Sequence, residues 1–391
     1  MEKIPKIVLA VTVSQSIKLF GRLPYLLNEN GWEVHVVSGP GSESKEFGDS
    51  KVLHHELLMK REPSLLRDVI ALFRWVDLMR KINPDVLFVG TPKASFLALL
   101  AGKLTRVPSR VYGLWGLRLE TTAGLGRKVL AEFERAASAA ATDVLAVSRS
   151  LADKYLEFRL CKSTKILVIG KGSSHGVDTE RFTPAIFEST RPLAQKIGLA
   201  EGVPVLGFVG RFSRDKGADS LLATRMLLSE KNIDHELLVV GSVEGETDVL
   251  DKLNNFDRRI KHVGVVTDVE RYFKLMDVLL LPTRREGFPN VVLEAAASGV
   301  PAVTTDATGA VDSVVNGVTG ITVPLESSKY FSEAVFGLLC NPDSIKRLGS
   351  SARARAVADF GEAAVLSGIM EFLEKLPKRR LKRPRFDAAS F

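Results

Sequence analysis

Short apolar runs alternate with stretches of helical apolar spacing through the first half of the chain. Residues 7–13, 34–38, 86–90, 109–112, 144–147 and 166–169 read as strands. Between them, residues 64–82, 94–104 and 127–140 repeat apolar positions at three- and four-residue steps, the period of a helix with one buried face. That alternation predicts a parallel sheet covered by helices on both faces. A break at 178–191, marked by Pro184 and Pro192, precedes a second set of elements. Its strands are 205–209, 236–240, 260–263, 278–281, 300–304 and 320–323, separated by helices at 218–230, 247–254, 268–275, 291–298 and 331–339. The expected fold is α/β: two doubly wound Rossmann-like domains facing each other across a cleft, with no sequence repeat behind their likeness. Residues 344–359 and 362–376 also read as helix. The expected organisation is a first domain at 1–178, a second at 179–361, a helix at 362–376 placed to cross back, and a basic tail at 377–391.

A length of 391 residues suits two cores better than one. Cys161 and Cys340 are too few and too far apart for a disulfide framework or a metal-ligand spacing, which favours a reducing compartment. The apolar run near the N-terminus is short and reads as a first strand rather than a signal peptide. No stretch approaches the roughly 20 apolar residues needed to span a bilayer.

The net charge of +8 is unevenly placed. Residues 1–178 hold 26 Lys and Arg against 18 Asp and Glu, whereas residues 179–374 hold 21 against 27. The last 17 residues hold 7 against 1, concentrated in Lys378-Arg379-Arg380-Leu381-Lys382-Arg383-Pro384-Arg385. This distribution favours an anionic partner: a membrane face, a phosphorylated lipid or nucleic acid. The plainer alternative is a solvated surface and a disordered tail. Residues 64–82 carry Phe73, Trp75 and Met79 among Arg67, Arg74, Arg80 and Lys81. That pattern is mainly a core-facing helix, with a membrane-touching face as the other reading.

Two loops carry the candidate chemistry. Strand 278–281 is followed by Arg285-Glu286-Gly287-Phe288-Pro289-Asn290-Val291-Val292-Leu293-Glu294 and then by a helical alanine run. Glu286 therefore sits in a strand-to-helix loop and Glu294 inside the helix. That end of a parallel sheet is where ligands bind, and a helix start offers free N–H groups to an anion. Strand 205–209 is followed by Gly210-Arg211-Phe212-Ser213-Arg214-Asp215-Lys216-Gly217. Arg211 and Lys216 can converge on one phosphate, the first as a fork and the second as a point charge. Carboxylates beside an anion site suit a ligand that also carries hydroxyls, and a sugar nucleotide has both. No metal ligand set or cofactor is implied.

The pairing of Gly210-Arg211-x4-Lys216-Gly217 with Glu286-x7-Glu294 resembles the retaining glycosyltransferases of family 4, which have the GT-B fold. Residues 281–295 and Thr304-Thr305-Asp306-Ala307-Thr308-Gly309 are similar to the branch that builds capsules and lipid-linked oligosaccharides. So are Gly90-Thr91-Pro92-Lys93-Ala94, Gly116-Leu117-Arg118-Leu119-Glu120 and Gly172-Ser173-Ser174-His175-Gly176-Val177-Asp178. The resemblance covers nearly the whole chain. It implies that Gly210, Arg211 and Lys216 hold the donor diphosphate and neutralise charge as the nucleotide leaves. It further implies that Glu286 meets hydroxyls of the donor sugar, that N–H groups from Gly287, Phe288, Pro289, Asn290 and Val291 line the donor site (proline contributing only shape), and that Glu294 accepts from the ribose. Residues 262–266, with Val263 and Val265, would line the base pocket.

Retention implies either a covalent nucleophile at Glu286 or attack on the face the nucleotide leaves, with a phosphate oxygen taking the proton; the second is preferred. Arg118, Glu120 and Ser16 are the candidate acceptor contacts, against the plainer reading of a surface ion pair for the first two. His175 reads as a linker or packing residue, and Asp178 and Asp312 as turn caps.

Two departures stand out: Trp115 occupies a position where many relatives have His, and Thr12-Val13-Ser14-Gln15-Ser16 lacks their paired glycines. The expected protein is a cytoplasmic enzyme, peripheral on the inner face of the plasma membrane, with a UDP-sugar donor and a polyprenyl-diphosphate-linked or other cell-surface glycan acceptor. The alternatives are a non-hydrolysing UDP-sugar 2-epimerase and a nucleic-acid-binding protein using the tail.

Overall fold

The computed structural model describes residues 4–47, 50–59, 65–185, 187–243, 259–325 and 327–378. The helix expected at 247–254 and the tail from 379 lie outside the described residues. The first sheet contains β1 (Lys6–Ala10), β2 (Glu33–Ser38), β3 (Leu53–Glu56), β4 (Val86–Gly90), β5 (Ser109–Leu114), β6 (Asp143–Ala146) and β7 (Ile166–Leu167). The second contains β8 (Val205–Val209), β9 (Glu236–Val240), β10 (Ile260–His262), β11 (Val278–Leu281), β12 (Ala302–Thr305) and β13 (Gly320–Val323). Their orders are β3-β2-β1-β4-β5-β6-β7 and β10-β9-β8-β11-β12-β13, with parallel pairing throughout.

Both sheets are doubly wound. The order reverses between β1 and β4 in one and between β8 and β11 in the other. Ligand crevices open beyond the carboxyl ends of strands at such reversals. The loops after β8 and β11 are the two motif loops, so the topology brings Arg211 and Lys216 beside Glu286. The strands at these positions are apolar and fully buried, as VLGFV in β8 and VLLL in β11. Burial on both faces is what a parallel sheet between helix layers requires.

Several elements differ from the sequence reading. The strand Leu53–Glu56 was not expected, because its LHHE residues are polar and partly exposed at a sheet edge. Helices Leu23–Glu29 and Arg149–Glu157 were also not expected, being too short to show a helical period. Helix Phe187–Ile197 runs through part of the expected break, with Pro192 inside it. Helix Leu65–Ile82 divides its aromatics: Trp75 and Met79 are buried, while Phe73 is 70% exposed.

The chain crosses between domains twice at one place. The Val177 N–H donates to the Phe360 carbonyl at 2.8 Å, and the Glu362 N–H donates to the Val177 carbonyl at 2.9 Å. Gly176 has φ +75°, and a Cβ there would lie 2.6 Å from the Phe360 carbonyl oxygen. Only glycine permits both the left-handed backbone and the close approach. Helix Glu362–Lys375 then packs Val365, Leu366, Ile369 and Leu373 into the first domain's core with Ile7, Leu9, Phe20 and Leu23. Beyond it, the Ser109 hydroxyl donates to the Pro377 carbonyl at 2.7 Å, and the Lys378 ammonium sits 4.6 Å from the Trp32 ring centre. No helix among the described residues is long and apolar enough to cross a membrane.

Candidate donor cleft and acceptor cavity

The loop after β11 is fixed by backbone contacts to both domains. The Glu286 N–H donates to the Thr308 carbonyl at 2.9 Å. The next residue is Gly287, where a Cβ would stand 2.0 Å from the Trp115 carbonyl oxygen in the first domain. The Ser148 hydroxyl, also from the first domain, donates to the Gly287 carbonyl at 2.8 Å. A Cβ at Gly309 (φ +76°) would lie 2.3 Å from that same carbonyl oxygen. The glycines are required here because backbone meets backbone. Helix Asn290–Ala297 starts immediately after this contact, with no side-chain cap on its first N–H groups.

The loop after β8 meets the first loop at Gly217, whose Cβ would lie 2.0 Å from the Pro282 carbonyl oxygen. This contact places Lys216 Nζ 2.5 Å from Glu286 Oε1, with side chains only 20% and 14% exposed. Arg211 is more exposed and lies 3.9 Å from the Asp215 carboxylate, which is 4.0 Å from Arg285. Burial pushes Asp215 up, but the Ser213 hydroxyl and the cations Lys216, Arg211 and Arg285 outweigh it and hold the carboxyl below its ordinary value. Gly210 has φ +142° and open space beside it. The structure thus sets Lys216 on Glu286 beside Gly287, with Gly210 and Arg211 in the adjoining loop after β8.

The other expected donor contacts surround it. Glu294 is on helix Asn290–Ala297, and burial pushes its carboxyl up to about 7 against the pull of Arg181 and Lys18. Val263 packs partly into the second core, while Val265 is 78% exposed. Phe288 turns into the core, 5.3 Å from the Phe360 ring. Asn290 is held by linker residues, bonding His175 Nε2 at 2.9 Å and receiving the Ser173 hydroxyl at 3.4 Å. His175 thereby orients the start of the helix, in addition to packing beneath Gly21.

In the first domain, a cavity of about 490 Å³ opens beside the reversal of the sheet. Thr12, Ser16 and Thr91 line its strand end, and Arg118 and Thr122 line one flank. Phe96, Leu97, Leu130, Phe133 and Glu134 form its walls. Ser16 and Arg118 are therefore brought together. Glu120 is not with them: its Oε2 accepts from the Thr308 hydroxyl at 2.6 Å across the cleft, and burial pushes its carboxyl up.

Asp178 caps its turn, accepting from the N–H groups of Glu180 and Arg181. Asp312 does something else. Its Oδ2 accepts from the N–H and hydroxyl of Ser150, and the same hydroxyl receives the Gly309 N–H. It is an interdomain tie, invisible in sequence because its partner is 162 residues away. The Trp115 ring packs against the first domain's core. It covers Gly90 and Gly113, where a Cβ would overlap it, and packs edge-on against Phe20 at 5.1 Å. Sequence reasoning also missed Thr12, Thr91 and Glu134. The first two were findable as polar residues just past β1 and β4; Glu134 looked like any charge on a surface helix.

Residues 203–341 match the family described as Glycosyl transferases group 1, and residues 21–172 match a Glycosyl transferase 4-like domain. The chain is 35% identical over 367 residues to the capsular polysaccharide biosynthesis glycosyltransferase CapM of Staphylococcus aureus, covering 92% of this chain and 94% of that protein. The chain belongs to the group 1 glycosyltransferases. That membership decides for glycosyl transfer over the epimerase and nucleic-acid readings.

A second relative is the Escherichia coli UDP-Gal:alpha-D-GlcNAc-diphosphoundecaprenol alpha-1,3-galactosyltransferase, 27% identical over 70% of this chain and 71% of its own. Among solved structures, Anabaena Alr3699/HepE in complex with UDP-glucose has a TM-score of 0.78 at 20% identity, covering 95% of this chain and all of that one. The GT-B fold is that of this glycosyltransferase.

The Glu294 carboxyl gives a test of the site without ligand. The unfolded chain releases its proton near 4.5, whereas the folded protein holds it to about 7. Its contribution to stability is therefore full at low pH and lost as pH rises from about 4.5 to about 7. Glu294→Gln should lose less melting temperature than the wild type between pH 5 and pH 8. Equal losses would show that Glu294 is not buried as described.

Proposed function

We propose that the chain is a retaining glycosyltransferase that moves a hexose or N-acetylhexosamine from a UDP-sugar to a hydroxyl of a polyprenyl-diphosphate-linked glycan. The observation that carries this reading is the Lys216–Glu286 pair at the second sheet's reversal, beside the Gly287–Trp115 contact, with Arg211 in the same loop as Lys216. The donor class is supported by the UDP-glucose complex of the structural neighbour and by the name of the E. coli relative. The acceptor class is supported by that relative and by the Campylobacter jejuni N,N'-diacetylbacillosaminyl-diphospho-undecaprenol alpha-1,3-N-acetylgalactosaminyltransferase, 27% identical over 68% of this chain and 71% of its own.

In this reading residues 1–178 bind acceptor and residues 179–361 bind donor. Lys216 and Arg211 hold the diphosphate and stabilise the charge that grows on it as the sugar–phosphate bond breaks. N–H groups at the start of helix Asn290–Ala297 add donors to the same anion. Glu294 accepts from the ribose, and Val263 and Val265 flank the base. Glu286 orients the sugar through its hydroxyls, fixing the reacting carbon before chemistry. A carboxylate that orients hydroxyls is not thereby placed beneath the anomeric carbon. That favours attack by the acceptor hydroxyl on the face the diphosphate leaves. The new bond forms to the anomeric carbon as the old one breaks, and the hydroxyl proton passes to the departing phosphate oxygen.

A membrane-facing side is part of the proposal. Val69, Ile70 and Phe73 on helix Leu65–Ile82 are exposed, as are Leu125, Val129 and Phe133 on helix Gly124–Ala140. Exposed Arg74, Arg127 and Lys128 accompany them. Apolar side chains flanked by cations suit an anionic bilayer from which a lipid-linked acceptor would be drawn.

Arg211→Ala should lower transfer from UDP-sugars by about 100-fold or more with thermal unfolding unchanged, and Lys216→Ala should lower it as much while also reducing thermal stability, because it leaves Glu286 shielded and unpaired. Normal turnover in both would refute their phosphate role. Phe73→Asp combined with Val129→Asp should abolish cosedimentation with phosphatidylglycerol vesicles. Undiminished binding would remove that face from the proposal.

A further inference from the structure

Helix Gly124–Ala140 places a carboxyl in the wall of the first domain's cavity. Glu134 is 8% exposed and lines that cavity. Its Oε2 accepts from the Tyr112 hydroxyl at 2.8 Å and the Tyr155 hydroxyl at 3.0 Å. Both tyrosines are buried, and the Tyr155 oxygen also meets the Ser138 hydroxyl at 2.7 Å. Each phenol has one hydrogen to give: that of Tyr112 goes to Oε2, while that of Tyr155 has Oε2, the Glu134 carbonyl at 3.2 Å and the Ser138 hydroxyl within reach. Oε1 has no hydrogen-bond partner among the described residues.

Oε1 still reaches solvent in the cavity, so a ligand that covers it without pairing it is penalised. Desolvation of an unpaired polar group costs about 1–3 kcal/mol, more when charged. Burial indeed pushes this carboxyl up, against the pull of the two phenols. The rest of the cavity indicates what meets Oε1. Phe96 and Phe133 pack edge-to-face at 5.1 Å and present ring surface, while Asp68 and Arg118 add polar groups. Aromatic faces beside carboxylates suit a sugar ring, whose C–H face is apolar and whose hydroxyls donate. A hydrocarbon tail would cover Glu134 Oε1 without offering it a hydrogen bond.

We propose that Glu134 is a specificity-determining residue whose Oε1 accepts a hydrogen bond from one hydroxyl or amide N–H of an acceptor sugar seated in this cavity. The proposal rests on the transferase reading above and deepens it by naming what the acceptor must offer. Tyr112 and Tyr155 are positioning residues that hold Oε2 and so aim Oε1. Any acceptor sugar lacking a donor at that one position is discriminated against, because the carboxyl would then be buried unpaired.

The test is calorimetric binding, with UDP saturating, of farnesyl-diphosphate-linked N-acetylglucosamine and of analogues each lacking one donor group. The wild type should lose about tenfold or more in affinity on removal of one particular donor. Glu134→Gln should bind the parent probe about tenfold more weakly and be indifferent to that same removal. Tyr155→Phe, which keeps the carboxylate but loosens the hold on Oε2, should weaken binding of the parent probe by less than Glu134→Gln does while remaining sensitive to removal of that donor. Equal sensitivity of the wild type and Glu134→Gln overturns the proposal. So does a wild type indifferent to every removal, whether or not the Gln variant folds. Stabilisation by UDP without binding of the probe overturns the Glu134 assignment and leaves the transferase reading standing; response to neither overturns both.

Discussion

The two domains meet where the peptide of Gly287 lies against the carbonyl of Trp115. No side chain mediates this contact, so no rotamer change can adjust it. Three glycines make the region passable: Gly217 under Pro282, Gly287 under Trp115, and Gly309 under Gly287. Each lets one loop touch another through backbone alone. Glu286 and the start of helix Asn290–Ala297 flank this point, and their positions follow from it. A substitution at Gly287 that adds a Cβ would part the sheets by ångströms and carry Glu286 with it.

The Lys216–Glu286 ion pair follows from that constraint. Both groups are largely shielded, which makes the desolvation cost of each considerable and their pairing necessary. On the proposed reading, an entering diphosphate would offer Lys216 a second anion and free Glu286 for the hydroxyls of the attached sugar. One ligand thus satisfies both partners, whereas a ligand with phosphate but no sugar, or sugar but no phosphate, leaves one of them buried and unpaired. The arrangement favours the whole sugar nucleotide over its parts. Around it, Asp312 with Ser150, Glu120 with Thr308, and Asn290 with His175 tie the rim across the domains.

Much of this was legible in the sequence where the physics is local. Buried parallel strands announce themselves as apolar runs, and β4, β8, β9, β11 and β13 have the ends that pattern predicts. The motif loops were readable because glycine and charge sit at fixed offsets from those runs. What stayed hidden depends on distant partners or on exposure. Edge strand β3 has no buried face to create a pattern. Asp312 resembles any turn aspartate until Ser150 is seen beside it. Glu134 falls among the charges of an amphipathic helix, and only the folded packing reveals that it points inward to two tyrosines. Trp115 marked a departure in sequence, but its direction, down onto Gly90 and Gly113, needed the coordinates.

The central claim is that the crevice beside Gly287 grips an activated sugar through a cation and a carboxylate that pair with each other when it is empty. A crystal structure with an intact, non-transferable UDP-sugar analogue addresses it most directly. The account predicts Lys216 Nζ displaced from Glu286 onto a phosphate oxygen, Glu286 on sugar hydroxyls, and Glu294 on the ribose. Nucleotide bound elsewhere, with the Lys216–Glu286 pair intact, would contradict it.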